Sequence, residues 1–320
     1  MKVVNSILEL IGETPLLNLE RIAKGVEANV YGKLEFFNPT GSLKDRIALY
    51  MIEQAEKKGM LMPGHTIVEA STGNTGISLS FAGMMKGYKV KIFETIPGSA
   101  GEEKIKTMEN FGAEVVILKT DDVKKLEGKS VPGAEIELPG RRICLDLERK
   151  NQDIWWARQF SNPDNVEAQK ETGREILSQL DNKVDVFVAS IGTGGTLMGI
   201  AEALKNELPD VKVVGVQPVD SKFWITPGQP YPRSEIQGGI IADMLEREGL
   251  IDEVVAVTDK DAVEMMHRLW REEGVFVGAS SGANVLVSLK EAKGIESRKN
   301  VVTVFPDSGN RYLTEEHYVT

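Results

Sequence analysis

Thiols are almost absent: Cys144 is the only cysteine among 320 residues. A single thiol permits no intramolecular disulfide and no multi-cysteine metal site. Its setting, Arg142-Ile143-Cys144-Leu145, reads as a buried small apolar side chain, not a nucleophile. Histidine is nearly as scarce. His65, His267 and His317 stand in no ligand spacing, so no zinc site is expected. Basic runs are missing and the net charge is -10, which argues against nucleic acid as a main partner. No apolar run reaches membrane-spanning length. The opening MKVVNSILELIG is too short for a signal peptide and is interrupted by Asn5, Glu9 and Gly12. A cytoplasmic location away from membranes is expected. Neither a Gly-x-Ser-x-Gly elbow nor a Walker loop occurs.

What is present is an ordinary globular composition, 41% hydrophobic and 27% charged, in a chain long enough for two cores. Strand and helix patterns alternate. Strands are expected at 30–35, 66–70, 89–93, 114–118, 184–190, 211–216, 253–257 and 301–305. Helices are expected at 5–12, from 44 to about 58, and at 77–85, 101–111, 165–179, 196–207, 259–272 and 282–291. Such alternation implies parallel pairing in an α/β layered fold. Residues 119–150 break the rhythm with scattered charge and with Gly128, Pro132, Gly133, Pro139 and Gly140. This stretch reads as a connection between lobes made of irregular or short extended pieces.

The block Asn38-Pro39-Thr40-Gly41-Ser42-Leu43-Lys44-Asp45-Arg46 is a turn running into a helix, with Ser42 as the expected N-cap. Lys44 then falls in the first helical turn, where the helix dipole disfavours an ammonium and favours the neutral amine. A neutral amine is the nucleophile for a Schiff base. The plain alternative is a surface lysine paired with Asp45 or Glu35. Gly192-Thr193-Gly194-Gly195-Thr196 lies between a strand and a helix, where backbone N–H groups cradle a phosphate. A dinucleotide fingerprint fits less well. Leu197 replaces its third glycine, and the next strand ends in Gln217-Pro218 without an acidic ribose ligand. A tight turn without a ligand is the remaining reading. Ser71-Thr72-Gly73-Asn74-Thr75-Gly76 is a second such loop, suited to a carboxylate or serving as a cap. Gly278–Ala283 is a third, either close packing capped by Ser280 or Ser281, or part of a site. An amine, a phosphate cradle and a carboxylate cradle, with no metal or thiol, answer to pyridoxal 5′-phosphate and an amino-acid substrate.

These residues resemble the pyridoxal-phosphate β-replacement enzymes, the cysteine synthase and cystathionine β-synthase family. The similarity runs from Ile11-Gly12-Glu13-Thr14-Pro15-Leu16 through the blocks above. It continues in Gln159-Phe160-Ser161-Asn162-Pro163-Asp164-Asn165 and ends at Pro306-Asp307-Ser308-Gly309-Asn310-Arg311-Tyr312. The resemblance implies a two-lobed fold type II architecture, similar to the tryptophan synthase β chain, with parallel-rich sheets flanked by helices. Residues 41–148 would form a small mobile lobe, and 1–40 with 149–320 the larger cofactor-binding lobe. Lys44 would bond the cofactor aldehyde and act as the catalytic base. Asn74 would meet the ring hydroxyl, Gly192, Thr193, Gly194, Gly195 and Thr196 the phosphate, and Ser280 the pyridine nitrogen. Ser71, Thr72, Asn74, Thr75 and Gln159 would hold the substrate carboxylate.

The implied activity is β-replacement on a serine-type amino acid through an aminoacrylate. Its simplest form makes cysteine from O-acetyl- or O-phospho-L-serine and sulfide. Cystathionine formation, or release of hydrogen sulfide from cysteine to give serine or lanthionine, are the nearest alternatives. A homodimer without a tandem regulatory domain or a heme-binding extension is expected. Two other classes stand beside this reading: a non-catalytic protein that keeps the fold, and a nicotinamide-dependent enzyme. The chain departs from the family pattern in the order Ser71-Thr72, in Gln169, in the 121–148 stretch and in the 223–233 loop. Arg233 could pair with a phosphate leaving group or face solvent; Glu235 could activate water or a thiol, or be merely exposed.

Overall fold

The computed structural model describes residues 3–94, 102–118, 137–221, 225–231, 234, 236 and 239–314. Two sheets carry the architecture. The larger comprises β1 (Leu16–Asn18), β2 (Asn29–Leu34), β7 (Val186–Ser190), β8 (Lys212–Pro218), β9 (Glu253–Val257) and β10 (Asn300–Phe305). Its order is β1-β2-β10-β7-β8-β9, with β1 antiparallel to β2 and every other pair parallel. Successive side chains of a strand point to opposite faces, and both faces are apolar because both are covered. Val186, Val188, Val214, Val216 and Phe305 pack on one side with α8 (Asp259–Arg268) and α9 (Ala279–Lys293). Phe187, Ala189, Val213 and Val304 pack on the other with α5 (Pro163–Gln179), α6 (Gly195–Glu207) and α7 (Gly239–Glu246).

The smaller sheet is wholly parallel, in the order β5 (Glu114–Ile117), β4 (Lys89–Glu94), β3 (Thr66–Ala70), β6 (Ile154–Trp156). The same alternation sorts its neighbours. Ile67, Ile92 and Trp155 face α1 (Lys44–Lys57) and α2 (Asn74–Met85), and Met108 of α3 (Glu102–Asn110) joins them. Val68, Phe93 and Trp156 face α4 (Leu138–Lys150) through Cys144 and Leu145. Cys144 is fully buried, and burial pushes its thiol pKa well up, as an inert core residue requires.

Two expectations are corrected. The stretch read as irregular or extended is helical over Leu138–Lys150. Pro139 sits in the first turn, where its missing N–H costs nothing, and Arg149 and Lys150 complement the dipole at the end. Gly140 lets that helix lie on the sheet, since a Cβ there would come within 2.9 Å of Ala70 Cβ. No strand is expected from the sequence at β6, which pairs with β3 and extends the four-stranded layer to Trp156. Only three residues make that strand, too few for a period to register. The other correction is at the start of α1, where Leu43, not Ser42, occupies the N-cap position. Ser42 instead bridges to Asp307 through its backbone, while its Oγ accepts from Lys44 N at 3.2 Å.

A buried ion cluster fastens the start of α1 to the larger lobe. Arg46 donates to both oxygens of Glu35 and both of Glu175 at 2.7–2.8 Å. Lys33 Nζ reaches Glu175 at 2.6 Å and Thr14 O at 2.5 Å. Burial raises the pKa of Glu175, but its bonds to Arg46 and Lys33 outweigh that and take it down to about 2. Lys44, two residues before Arg46, is thereby held at a fixed place.

Candidate active site

In parallel sheets ligands bind beyond the carboxyl ends of the strands. Here five such ends converge: β3 leads into Ser71–Gly76, β7 into Ile191–Thr196, β8 ends at Gln217-Pro218, β9 precedes Thr258-Asp259, and β10 leads into Pro306–Tyr312. Between them lie two adjoining cavities of about 420 and 370 Å³. Lys44, Asn74, Gly192 and Thr193 line both, so these residues form the seam.

Lys44 is half-buried, and no hydrogen bond or ion pair holds its Nζ among the described residues. Desolvation lowers its pKa to about 8, against the pull of the Asp307 and Glu137 carboxylates. Roughly a tenth of this amine is therefore the free base at pH 7, against less than about a thousandth for an unperturbed lysine. Across the seam Asn74, at the start of α2, donates through Nδ2 to Asp307 Oδ2 at 2.6 Å. Tyr312 OH donates to the same oxygen. Asn74 Oδ1 and Asp307 Oδ1 are buried without a partner. A ligand bearing a hydroxyl or N–H would satisfy them.

The first cavity is closed on one side by the turn into α6. Gly194 has φ +90°, a left-handed conformation that a side chain would strain. Nothing lies within 4 Å of where a Gly192 Cβ would stand, so that backbone faces open space. Thr193 and Thr196 line the same wall. Gly195 does not line the cavity: it lies against Asn165, whose Oδ1 would be 2.2 Å from an added Cβ. Asn165 also donates to Thr193 Oγ1 at 3.2 Å, bracing the turn. Ser280, second residue of α9, lines the far wall.

Ser71, Thr72, Thr75 and Gln159 line the second cavity. Ser71 Oγ accepts from Gly76 N at 3.0 Å and Gly73 N at 3.3 Å, shaping the entry to α2. Thr75 Oγ1 donates to Gln159 Oε1 at 2.6 Å, and Gln159 Nε2 donates to Ala70 O at 3.0 Å and to Glu137 Oε2 at 3.2 Å. All twelve residues singled out from the sequence thus gather in one place, with Gly195 behind the wall. Arg233 and Glu235, and Phe223, Trp224 and Pro232 of their loop, lie outside the described residues.

Sequence reasoning missed four groups. Asp307 and Tyr312 sat inside a quoted motif without a role. Lys104 lines the second cavity and lies 4.3 Å from the Tyr312 ring centroid. Glu137 stands beside Thr72 and Gln159. A carboxylate two residues past a fully buried strand is a signal that could have found Asp307. Nothing local distinguishes Glu137 from the charges around it.

A phosphate-bearing aldehyde fits these residues. The amine is unpaired, the glycine turn at a helix N-terminus is open, and the unpartnered Asn74 oxygen lies between them. The sequence profile of the pyridoxal-phosphate dependent enzymes matches residues 7–307. A cysteine synthase of Staphylococcus aureus (strain Mu50 / ATCC 700699) is 38% identical over 322 residues, 99% of this chain and 98% of that protein. The O-acetyl serine sulfhydrylase isoform 3 of Entamoeba histolytica superposes with a TM-score of 0.84 at 35% identity, covering 100% of this chain and 92% of the other. A hydrogen sulfide-producing enzyme of Fusobacterium nucleatum gives 0.81 at 35% identity, over 97% of this chain and 100% of that one. Family match, full-length relatives and fold agree, and the chain belongs to the pyridoxal-phosphate-dependent enzymes of the cysteine synthase type.

Proposed function

We propose that this chain catalyses β-replacement on an L-serine-type amino acid, with O-acetyl- or O-phospho-L-serine and sulfide giving L-cysteine as the favoured case. The observation that carries the reading is Lys44, an unpaired amine with a pKa lowered to about 8, on the seam between two cavities. Lys44 is the residue that would hold the cofactor through its aldehyde. When bound, pyridoxal phosphate withdraws electrons from the substrate's Cα, which acidifies its proton and lets a leaving group depart from Cβ. The Lys44 amine, once free, would accept the Cα proton as a general base. Backbone N–H groups of Gly192, Thr193, Gly194 and Thr196, at the positive end of α6, would hold the phosphate. Asn74, through its unpartnered Oδ1, would orient the ring by its hydroxyl, and Ser280 would meet the ring nitrogen. A serine there is a weaker proton donor than a carboxylic acid, which favours elimination over transamination.

Ser71, Thr72, Thr75 and Gln159 take the substrate carboxylate, fixing Cα against Lys44. A smaller lobe over residues 41–148 and a larger one over 1–40 and 149–320 would set donors on both sides of the reacting carbon. Among the described residues no helix is long and apolar enough to cross a membrane. We read the protein as a cytoplasmic homodimer.

The neighbour from Fusobacterium nucleatum favours a second reading, release of sulfide from cysteine. The test is a donor panel on the purified holoenzyme, read in the visible spectrum without a nucleophile. A new band with an O-activated serine, discharged by sulfide, supports synthesis and names the donor. A band with cysteine alone, with sulfide released, supports the second reading. No change with any donor refutes β-replacement.

A further inference from the structure

Glu137 precedes the first residue of α4, and its side chain is 5% exposed. Four donors surround it. Its Oε1 accepts from Thr72 N at 3.0 Å and Thr72 Oγ1 at 3.3 Å. Its Oε2 accepts from Gln159 Nε2 at 3.2 Å and Arg141 Nη2 at 3.3 Å. Thr72 and Gln159 are the very groups assigned above to the substrate's carboxylate. A carboxylate of the chain's own therefore lies on the carboxylate site.

Two carboxylates within hydrogen-bond distance of the same donors repel, and neither can be fully served. Glu137 has somewhere else to go. Arg141 is 1% exposed and its Nε is buried with no hydrogen-bond partner. Its guanidinium is fixed, with the carbon 3.4 Å from the Phe160 ring centroid and Nη1 donating to Ile236 O at 3.2 Å. Glu137 holds only one prong of this fork. Rotation of its carboxylate onto Nε and Nη2 together would complete a bidentate pair, the geometry Arg favours. That move would also free Thr72 N, Thr72 Oγ1 and Gln159 Nε2.

We propose that Glu137 is a specificity-determining residue of the substrate site, competing with the substrate's α-carboxylate for Thr72 and Gln159 and yielding to it by pairing with Nε and Nη2 of Arg141. The inference rests on the carboxylate-site reading given above. Its consequence is a built-in handicap for free amino acids. An amino-acid amide escapes it, because its –NH2 can donate to Glu137.

The test compares binding of L-alanine and L-alaninamide to the holoenzyme, by calorimetry and by the visible spectrum. Neither carries a leaving group, so equilibrium binding is read without turnover. Glu137→Gln should bind L-alanine about tenfold more tightly, roughly 1.4 kcal/mol, and L-alaninamide no more tightly than the parent does. Equal factors for both ligands, or unchanged L-alanine binding, would overturn the role of Glu137 and leave the carboxylate site standing. Failure of L-alanine to bind either protein, with L-alaninamide bound by both, would overturn both readings. Should Glu137→Gln not fold, the pair Glu137→Gln with Arg141→Gln removes both charges together, and the same change in the ratio of the two affinities is expected.

Discussion

Lys44 begins a helix, where an ammonium is poorly placed, and it is desolvated as well. Its folded pKa of about 8 against an unfolded 10.5 has a definite sign. Between those values the unfolded chain binds more protons, so this residue's share of stability rises with pH and falls as pH drops through 8. The free-base fraction follows the same curve. Apoprotein should therefore capture pyridoxal phosphate, followed by visible absorbance, at a rate that rises with pH and inflects near 8. Asp307 and Glu137 both favour the ammonium. Asp307→Asn should thus move the inflection to lower pH, and an inflection near 10.5 in the parent would contradict this electrostatic account. Lys44 was legible because its turn, cap region and helix are contiguous in sequence. Glu137 was not, since its partners Thr72 and Gln159 are 65 and 22 residues away.

The elements that matter most are the turns at helix starts. The turn into α6 is readable as glycine-rich, yet only the fold distinguishes its glycines. Gly192 faces the cavity, Gly194 needs its positive φ, and Gly195 admits Asn165. Gly194→Ala should cost about 1–2 kcal/mol from the left-handed backbone, with Ile241 Cγ1 only 3.0 Å from the new Cβ. The expected outcome is a thermal midpoint lowered by several degrees and cofactor affinity weakened by tenfold or more, measured by calorimetry and fluorescence titration. Wild-type affinity in this variant would mean that the turn does not hold the phosphate. α4 was hidden from sequence reasoning by Pro139 and Gly140, which normally punctuate loops. One is tolerated in a first turn, and the other makes room for Ala70. Helix position and close packing, not composition, settle such cases.

At the scale of the whole molecule, parallel sheets bring distant loops to one cleft. The alternation of strands and helices made that layered fold readable. The convergence followed, because the turns Ser71–Gly76 and Gly192–Thr196 lie after the carboxyl ends of β3 and β7. The order of strands was not readable, since β10 lies beside β2 with most of the chain between them. Arg46, with Glu35 and Glu175, then locks α1 to the larger lobe and so locates Lys44. The account as a whole turns on one bond, between the cofactor and that lysine. Borohydride reduction of the holoenzyme followed by peptide mass mapping tests it directly. The account predicts a single reduced cofactor adduct on Lys44. An adduct on Lys33 or Lys104, or a protein that carries none after reconstitution, would contradict it.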